Sequence, residues 1–230
     1  MSAARRLAAA VVLAVGAASA YRVGLRDRCL TWGSTAAEAD RAMAGDELMP
    51  DPDVVATRAV TIDAPPSAVW PWLLQMGSGR GGAYTYDWIE NLFGLSMHSA
   101  DRVLPEFQDV AVGDSFELGT GRPHMRVEVL QPERALAFRF EDGTWVWSFG
   151  LYPQDGSTRL VSRNRIATPG ASLPARAVSQ LLVEPGSLVM ERKMLLGIKE
   201  RAERLAREMR GDRWDSNPRP PGPQPGATTS

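Results

Sequence analysis

The sequence predicts a single α+β domain, on three observations. Between Val112 and Thr168, apolar and polar residues alternate in five short runs, the pattern of strands buried on one face. One further β-rich run, Val54–Asp63, precedes them and stops at two prolines. An amphipathic stretch of about 26 residues with a helical repeat follows them.

The first run, VVATRAVTID, is rich in β-branched residues. Pro65 and Pro66 cannot continue a ladder and suit the opening of a helix. In SAVWPWLLQM, Val69, Trp70, Leu73 and Leu74 form one stripe, which predicts a short helix opened at Pro71. TYDWIENLFG predicts a second helix, with Thr85, Trp88, Ile89, Leu92 and Phe93 on one face and Gly94 as its stop. On that reading Asp87, Glu90 and Asn91 share the opposite, polar face. The five alternating runs are GDSFELG, MRVEVLQ, RALAFRFE, TWVWSFGLY and TRLVSRNRIA. The last two turns between them carry Asp-Gly, a hairpin signal, so an antiparallel meander is expected. In the closing stretch Leu188, Leu195, Ile198, Ala202, Leu205 and Met209 fall at helical spacing. Glu200 with Arg204, and Glu203 with Arg207, add favourably oriented pairs one turn apart. Such a helix is roughly 40 Å long, enough to cross a sheet.

The chain divides into residues 1–28, an apolar leader or membrane anchor; 29–52, a linker; 53–210, the domain; and 211–230, a tail. The leader places Arg5 and Arg6 before an apolar run, Leu7–Tyr21, that ends in Ala18-Ser19-Ala20. This layout fits a secretory signal cleaved near Ala20. It also fits a short anchor: Arg22, Arg26 and Arg28 follow directly, and the excess of positive charge after the run places the domain on the cytoplasmic side of a membrane. The tail, rich in Pro, Gly, Ser and Thr, cannot bury enough apolar surface to offset its ordering entropy and is expected to be disordered.

Composition narrows the function. A formal net charge of -1 over 230 residues argues against a nucleic-acid binder. One Cys excludes an internal disulfide, and His98, His124 and Cys29 lie too far apart to read as a zinc site. Gly77, Gly79 and Gly82 spell G-x-G-x-x-G, with Asp101 about 20 residues on, as in a dinucleotide site. That fingerprint needs a strand before it and a helix after it, whereas AVWPWLLQM ahead of it is helical in pattern. No cofactor is therefore expected. The glycine run reads instead as a mobile lip with Arg80 at its crown.

One strand, two short helices, a meander and a long closing helix resemble the helix-grip fold of the START-like or SRPBCC superfamily, which includes polyketide cyclase-like proteins. The residues that carry the resemblance are TIDAPPSAVWPWLLQMG, YDWIENLFGLSMHSADRVLPEFQ, VGDSFELG and EPGSLVMERKMLLGIKERAE. It implies an antiparallel sheet of about six to seven strands wrapped around the long helix. It also implies a cavity between sheet and helix for a small hydrophobic molecule, such as a lipid, polyketide or aromatic.

Strand alternation supports that implication. Ser162 and Asn164 share parity with Leu160 and Ile166, so two polar side chains face inward, which suggests a wet or liganded space; otherwise they are satisfied core residues. Trp145 and Trp147 form an aromatic wall with Phe149. Trp72, Tyr84, Tyr86, Arg102, Met190 and Met194 complete the expected lining. Arg58 either points inward to an acidic ligand head or snorkels to water from an edge strand. For catalysis, His98 with Asp87 or Glu90 offers a general acid–base pair of the cyclase, dehydratase or hydrolase kind. The other reading of those carboxylates is a solvated helix face. No peptide-binding signature points to a protein partner.

Overall fold

The computed structural model describes Arg5, Gly16 and residues 21–117 and 124–215; for residue 22 and for 212–215 only the backbone is described. Apart from Gly16, the leader residues 7–20 and residues 216–230 of the tail lie outside the described residues. Among the described residues no helix is long and apolar enough to cross a membrane.

Two short helices come first, α1 (Arg26–Leu30) and α2 (Ala36–Asp40). Strand β1 (Val54–Ile62) follows, then α3 (Pro66–Leu74) and α4 (Asp87–Leu92). The meander comprises β2 (Ser115–Glu117), β3 (His124–Gln131), β4 (Ala135–Phe140), β5 (Trp145–Gln154) and β6 (Ser157–Ile166). Helix α5 (Leu173–Val178) leads through a π turn, Ser179–Val183, into the long helix α6 (Glu184–Asp215). The six strands form one antiparallel sheet in the order β1-β6-β5-β4-β3-β2. This is the helix-grip arrangement.

Local chemistry explains the turns. The β4–β5 and β5–β6 turns place Gly143 and Gly156 at φ of 72° and 83°, which the Asp-Gly pairs allow. Pro65 and Pro66 open α3, whose Val69, Trp72 and Leu73 are buried. The core joins α3, the inner faces of β3 to β6 and the α6 stripe Met194, Leu195, Ile198 and Ala202.

Of residues 29–52, expected only as a linker, Cys29 to Trp32 lie at the β1 edge against α6, and the rest folds onto the outer face of the sheet. Three arginines from β6 hold that part there, the three whose parity sets them opposite Ser162 and Asn164. Arg159 grips Glu38 at 2.7 and 2.9 Å, and Arg165 donates to the Met49 and Pro50 carbonyls. Buried Arg163 uses all five of its N–H donors, on Thr57, Asp46 and the carbonyls of Glu38, Ala39 and Arg41. Thr35 and Glu38 close a capping box at the start of α2. The Arg159 hydrogen bonds lower the Glu38 pKa to about 2.

Candidate functional site

The inner face of the sheet has two distinct halves. In the β1–β6 half, under α6, lies a closed polar network. Arg58 on β1 is buried and pairs with Glu191 of α6. Its other nitrogens donate to the Cys29 carbonyl at 3.1 Å and the Ser187 hydroxyl at 3.0 Å. Ser162 donates to Glu191 Oε1 at 2.6 Å, and the Asn164 amide reaches both carboxylate oxygens at 3.0 Å. Each acceptor then takes an indole N–H: Trp147 Nε1 donates to Ser162 Oγ and Trp145 Nε1 to Asn164 Oδ1, both at 2.9 Å. Burial pushes the Glu191 carboxyl up, and the Arg58 charge and these hydrogen bonds pull against it.

Arg58 therefore points inward, not out to water, and its partner is a residue of this chain. Ser162 and Asn164 are inward as their parity predicts, but they are spent on Glu191 and the two indoles rather than lining a wet space. Glu191 itself escaped the sequence reading. Its signal is positional: it sits three residues after Leu188 and four before Leu195, inside the apolar stripe.

In the β2–β5 half the inner face meets the segment between α3 and Met97, and a gap remains. This small, partly open cavity of about 20 Å³ is lined by Met76, Met97, Met125, Phe116, Phe138 and Trp147, with Gly77, Ala83 and Glu117 completing its wall. It holds roughly one water-sized body. No residue of α6 lines it, so the cavity is not between sheet and long helix. Met194 is instead buried in the α6 core stripe, and Met190 is half-buried on the same helix. A second depression, about 640 Å³ and open to solvent, is lined by Met43, Tyr152 and Pro153, with exposed Glu133 and Arg134 at the β3–β4 turn.

Of the predicted lining, only Trp147 reaches this cavity. Trp145 stacks on it, 5.3 Å between ring centroids and 20° between planes. Trp72 is core, edge-on to Tyr84 at 5.9 Å. The Tyr84 hydroxyl donates to the Trp72 carbonyl, burial raises its pKa, and its backbone abuts Gly197 of α6, where a Cβ would lie 2.6 Å from the Tyr84 oxygen. Tyr86 and Arg102 are exposed.

Helix α4 is turned the other way from its predicted amphipathic pattern. Trp88 and Leu92 are 70% and 77% exposed and Phe93 is 62% exposed, while Glu90 is buried. Burial, with the Asp87 charge adding to it, raises the Glu90 pKa. Asp87 accepts from the Ser99 N–H at 2.8 Å and hydroxyl at 2.6 Å, and Asn91 brackets Met97 through both its N–H and its carbonyl. The polar face of α4 thus folds residues 95–99 back and carries Met97 into the cavity. His98 is exposed, and the structure brings it into a hydrogen bond or ion pair with neither Asp87 nor Glu90.

The glycine run is not a loose lip. Gly77 and Gly82 exchange hydrogen bonds of 3.0 and 3.1 Å, and the Gly81 N–H donates to the Gln75 carbonyl at 2.7 Å. Arg80 turns inward, donates to the Leu74 and Phe107 carbonyls, and lies 4.1 Å from the Phe116 ring centroid. Gly82 has φ of 71°, and a Cβ there would lie 2.7 Å from the His98 carbonyl oxygen.

With this geometry established, comparison with known proteins adds an outline. The chain is similar in outline to several solved structures at low identity. The KanY protein shares 16% identity over 65% of this chain and 97% of its own, with a TM-score of 0.43. A "Polyketide_cyc-like" protein from Corynebacterium glutamicum shares 17% over 73% and 98%, with a TM-score of 0.33. The Aha1 dimer protein from Colwellia psychrerythraea shares 18% over 59% and 92%, with a TM-score of 0.32. No family model and no curated protein matches the chain. At such scores no activity transfers, and the fold stands on the strand order and helices described above.

Proposed function

We propose that the domain binds a small hydrophobic molecule, a lipid, polyketide or aromatic, in the space now closed over by Met76, Met97 and Met125. The observation that carries this reading is the wall itself: three methionines and three aromatic rings surround a gap they do not fill. Methionine side chains repack at low cost, which suits a chamber that must grow from about 20 Å³ to the several hundred a ligand needs. The wall that yields is β2. It has three residues, pairs only with β3, and contributes Phe116 and Glu117 to the lining. Arg80 stacked on Phe116 is the latch.

Native mass spectrometry of the purified full chain tests this reading: a co-purified hydrophobic molecule is expected. Ala83→Leu, which fills the margin of the chamber, should abolish the co-purified species. If nothing co-purifies, and a panel of fatty acids and polycyclic aromatics leaves the tryptophan emission unchanged, the reading fails.

We propose separately, from the leader alone, that the protein is held at a membrane by the apolar run 7–21 with the domain on the cytoplasmic side. The arginines at positions 22, 26 and 28 support this orientation over export.

A further inference from the structure

From Val178 to Val189 the chain is helical and apolar where it meets water. Val178 is 54% exposed, Leu182 68%, Val183 58% and Val189 53%. Val178, Leu182 and Val189 follow at four- and seven-residue steps, so they lie along one side of the helical stretch. One turn beyond Val189, Lys193 extends until its Nζ is 6.0 Å from the Tyr86 ring centroid. That contact sets Tyr86, just before α4, beside this turn of α6, and Trp88 and Leu92 follow on α4 as exposed apolar side chains. Apolar surface of this extent, with an indole at its margin, is uncommon on a water-facing monomer.

The exposed ionisable side chains that the start of α6 adds to this face are cations. Arg192 and Lys193 are exposed. The two carboxylates of the stretch, Glu184 and Glu191, are buried and paired with Arg26 and Arg58. On α4, Glu90 is buried and Asp87 is held by Ser99.

The chain's leader also joins the domain here. The Tyr21 hydroxyl donates to Glu184 at 3.0 Å, the Arg26 guanidinium grips the same carboxylate at 2.8 Å, and Cys29 Sγ donates to the Glu184 carbonyl at 3.3 Å. The apolar run 7–21 therefore ends against the first residue of α6, next in sequence to Val183.

We propose that this face, formed by Val178, Leu182, Val189, Lys193, Trp88 and Leu92, lies flat on an anionic lipid bilayer. The aliphatic side chains and the indole reach the acyl boundary, and Lys193 meets the head groups, while Arg192 lies 5.3 Å over the Trp32 ring. The inference rests on the membrane placement proposed above and adds the domain's orientation. Residues 76–97, which border the hydrophobic chamber and include α4, then lie close to lipid rather than facing bulk water.

The test uses the full chain with vesicles of phosphatidylglycerol and dibrominated phosphatidylcholine in equal parts. Bromine quenches a tryptophan only at membrane depth, and comparison with Trp88→Phe isolates the Trp88 contribution. The expected result is bromolipid quenching that Trp88→Phe removes. Leu182→Asp combined with Val189→Asp should abolish that quenching while the protein still sediments with the vesicles through residues 7–21. Both positions are exposed, so an unchanged thermal midpoint verifies the fold. Lys193→Ala should require about fivefold more anionic lipid for half-maximal quenching, the worth of one basic charge at such a surface. Sedimentation with vesicles but no quenching assignable to Trp88 overturns the docked face and leaves the anchor standing. Loss of sedimentation overturns both. A dimer in solution that shields Trp88 and persists with vesicles overturns the lipid as the occupant of this face.

Discussion

The two halves of the inner sheet face solve opposite problems. Under α6, in the β1–β6 half, the chain buries an arginine, a glutamate, a serine and an asparagine and leaves none of their contacts to water. Under the segment 76–97, in the β2–β5 half, it lines the sheet mainly with methionines and aromatic rings yet leaves a gap. The polar half is the sealed one and the apolar half the adaptable one. Directional bonds fix Arg58, Glu191, Ser162 and Asn164 in one arrangement, because any shift strands a charge or a donor. Dispersion contacts among methionines and rings have no such requirement. Trp147 belongs to both halves: its indole N–H is tied to Ser162 and its ring borders the gap.

The largest blow to this contrast falls on the sealed half. Glu191→Ala leaves Arg58 buried without its partner, and urea unfolding should show a loss of about 3–5 kcal/mol. Glu191→Gln, which keeps an acceptor for Ser162 and Arg58, should lose less. Next comes the rim of the chamber: Gly82→Ala combines a left-handed backbone with a contact against the His98 carbonyl, and a loss of about 1–3 kcal/mol is expected in the same assay. Hydrogen exchange sharpens the comparison further. A bound hydrophobic ligand should alter exchange in β2 and residues 76–83 while leaving the amides of β1 and β6 at their ligand-free rates.

The outer face supplies a pH probe. The Glu38 pKa is held near 2 by Arg159, against an ordinary 4.5. Its contribution is fully present above about pH 4.5 and is lost as the pH falls toward 2, because the unfolded carboxyl takes up its proton first. Acid titration followed by circular dichroism should show Glu38→Gln flattening the stability slope in that window. The smallest effect belongs to His98→Ala. The side chain is exposed, and a stability change within about 0.5 kcal/mol, with ligand affinity retained, is expected.

Much of this architecture was legible in the residues. Alternation and Asp-Gly placed β3 to β6 within a residue or two, because those signals are local to each strand and turn. The long helix was legible for the same reason, from its repeat. Glu191 was not, since its partner Arg58 lies 133 residues away in sequence and no local pattern records a pairing across the sheet. The facing of α4 was misread because amphipathicity assumes that water covers the polar side. Here Asp87 and Asn91 face the returning chain at Met97 and Ser99, and Trp88 and Leu92 face out. The chamber was invisible as a set, since its methionines come from the α3–α4 connection, the segment after α4, and β3. The glycine run was read for its flexibility, while its actual constraint is the space Gly82 leaves for the His98 backbone.

The strand order has a consequence for how the molecule is made. β1 is the first strand to leave a ribosome, and its only neighbour in the sheet is β6, the last. It must wait for the whole meander before it can pair, and the segment 29–52 waits as well, because Arg159, Arg163 and Arg165 all reside on β6. Topologies dominated by such distant contacts fold slowly. Until β6 arrives, β1 has no strand to pair with, and the segment folded against it lacks the arginines that fix it.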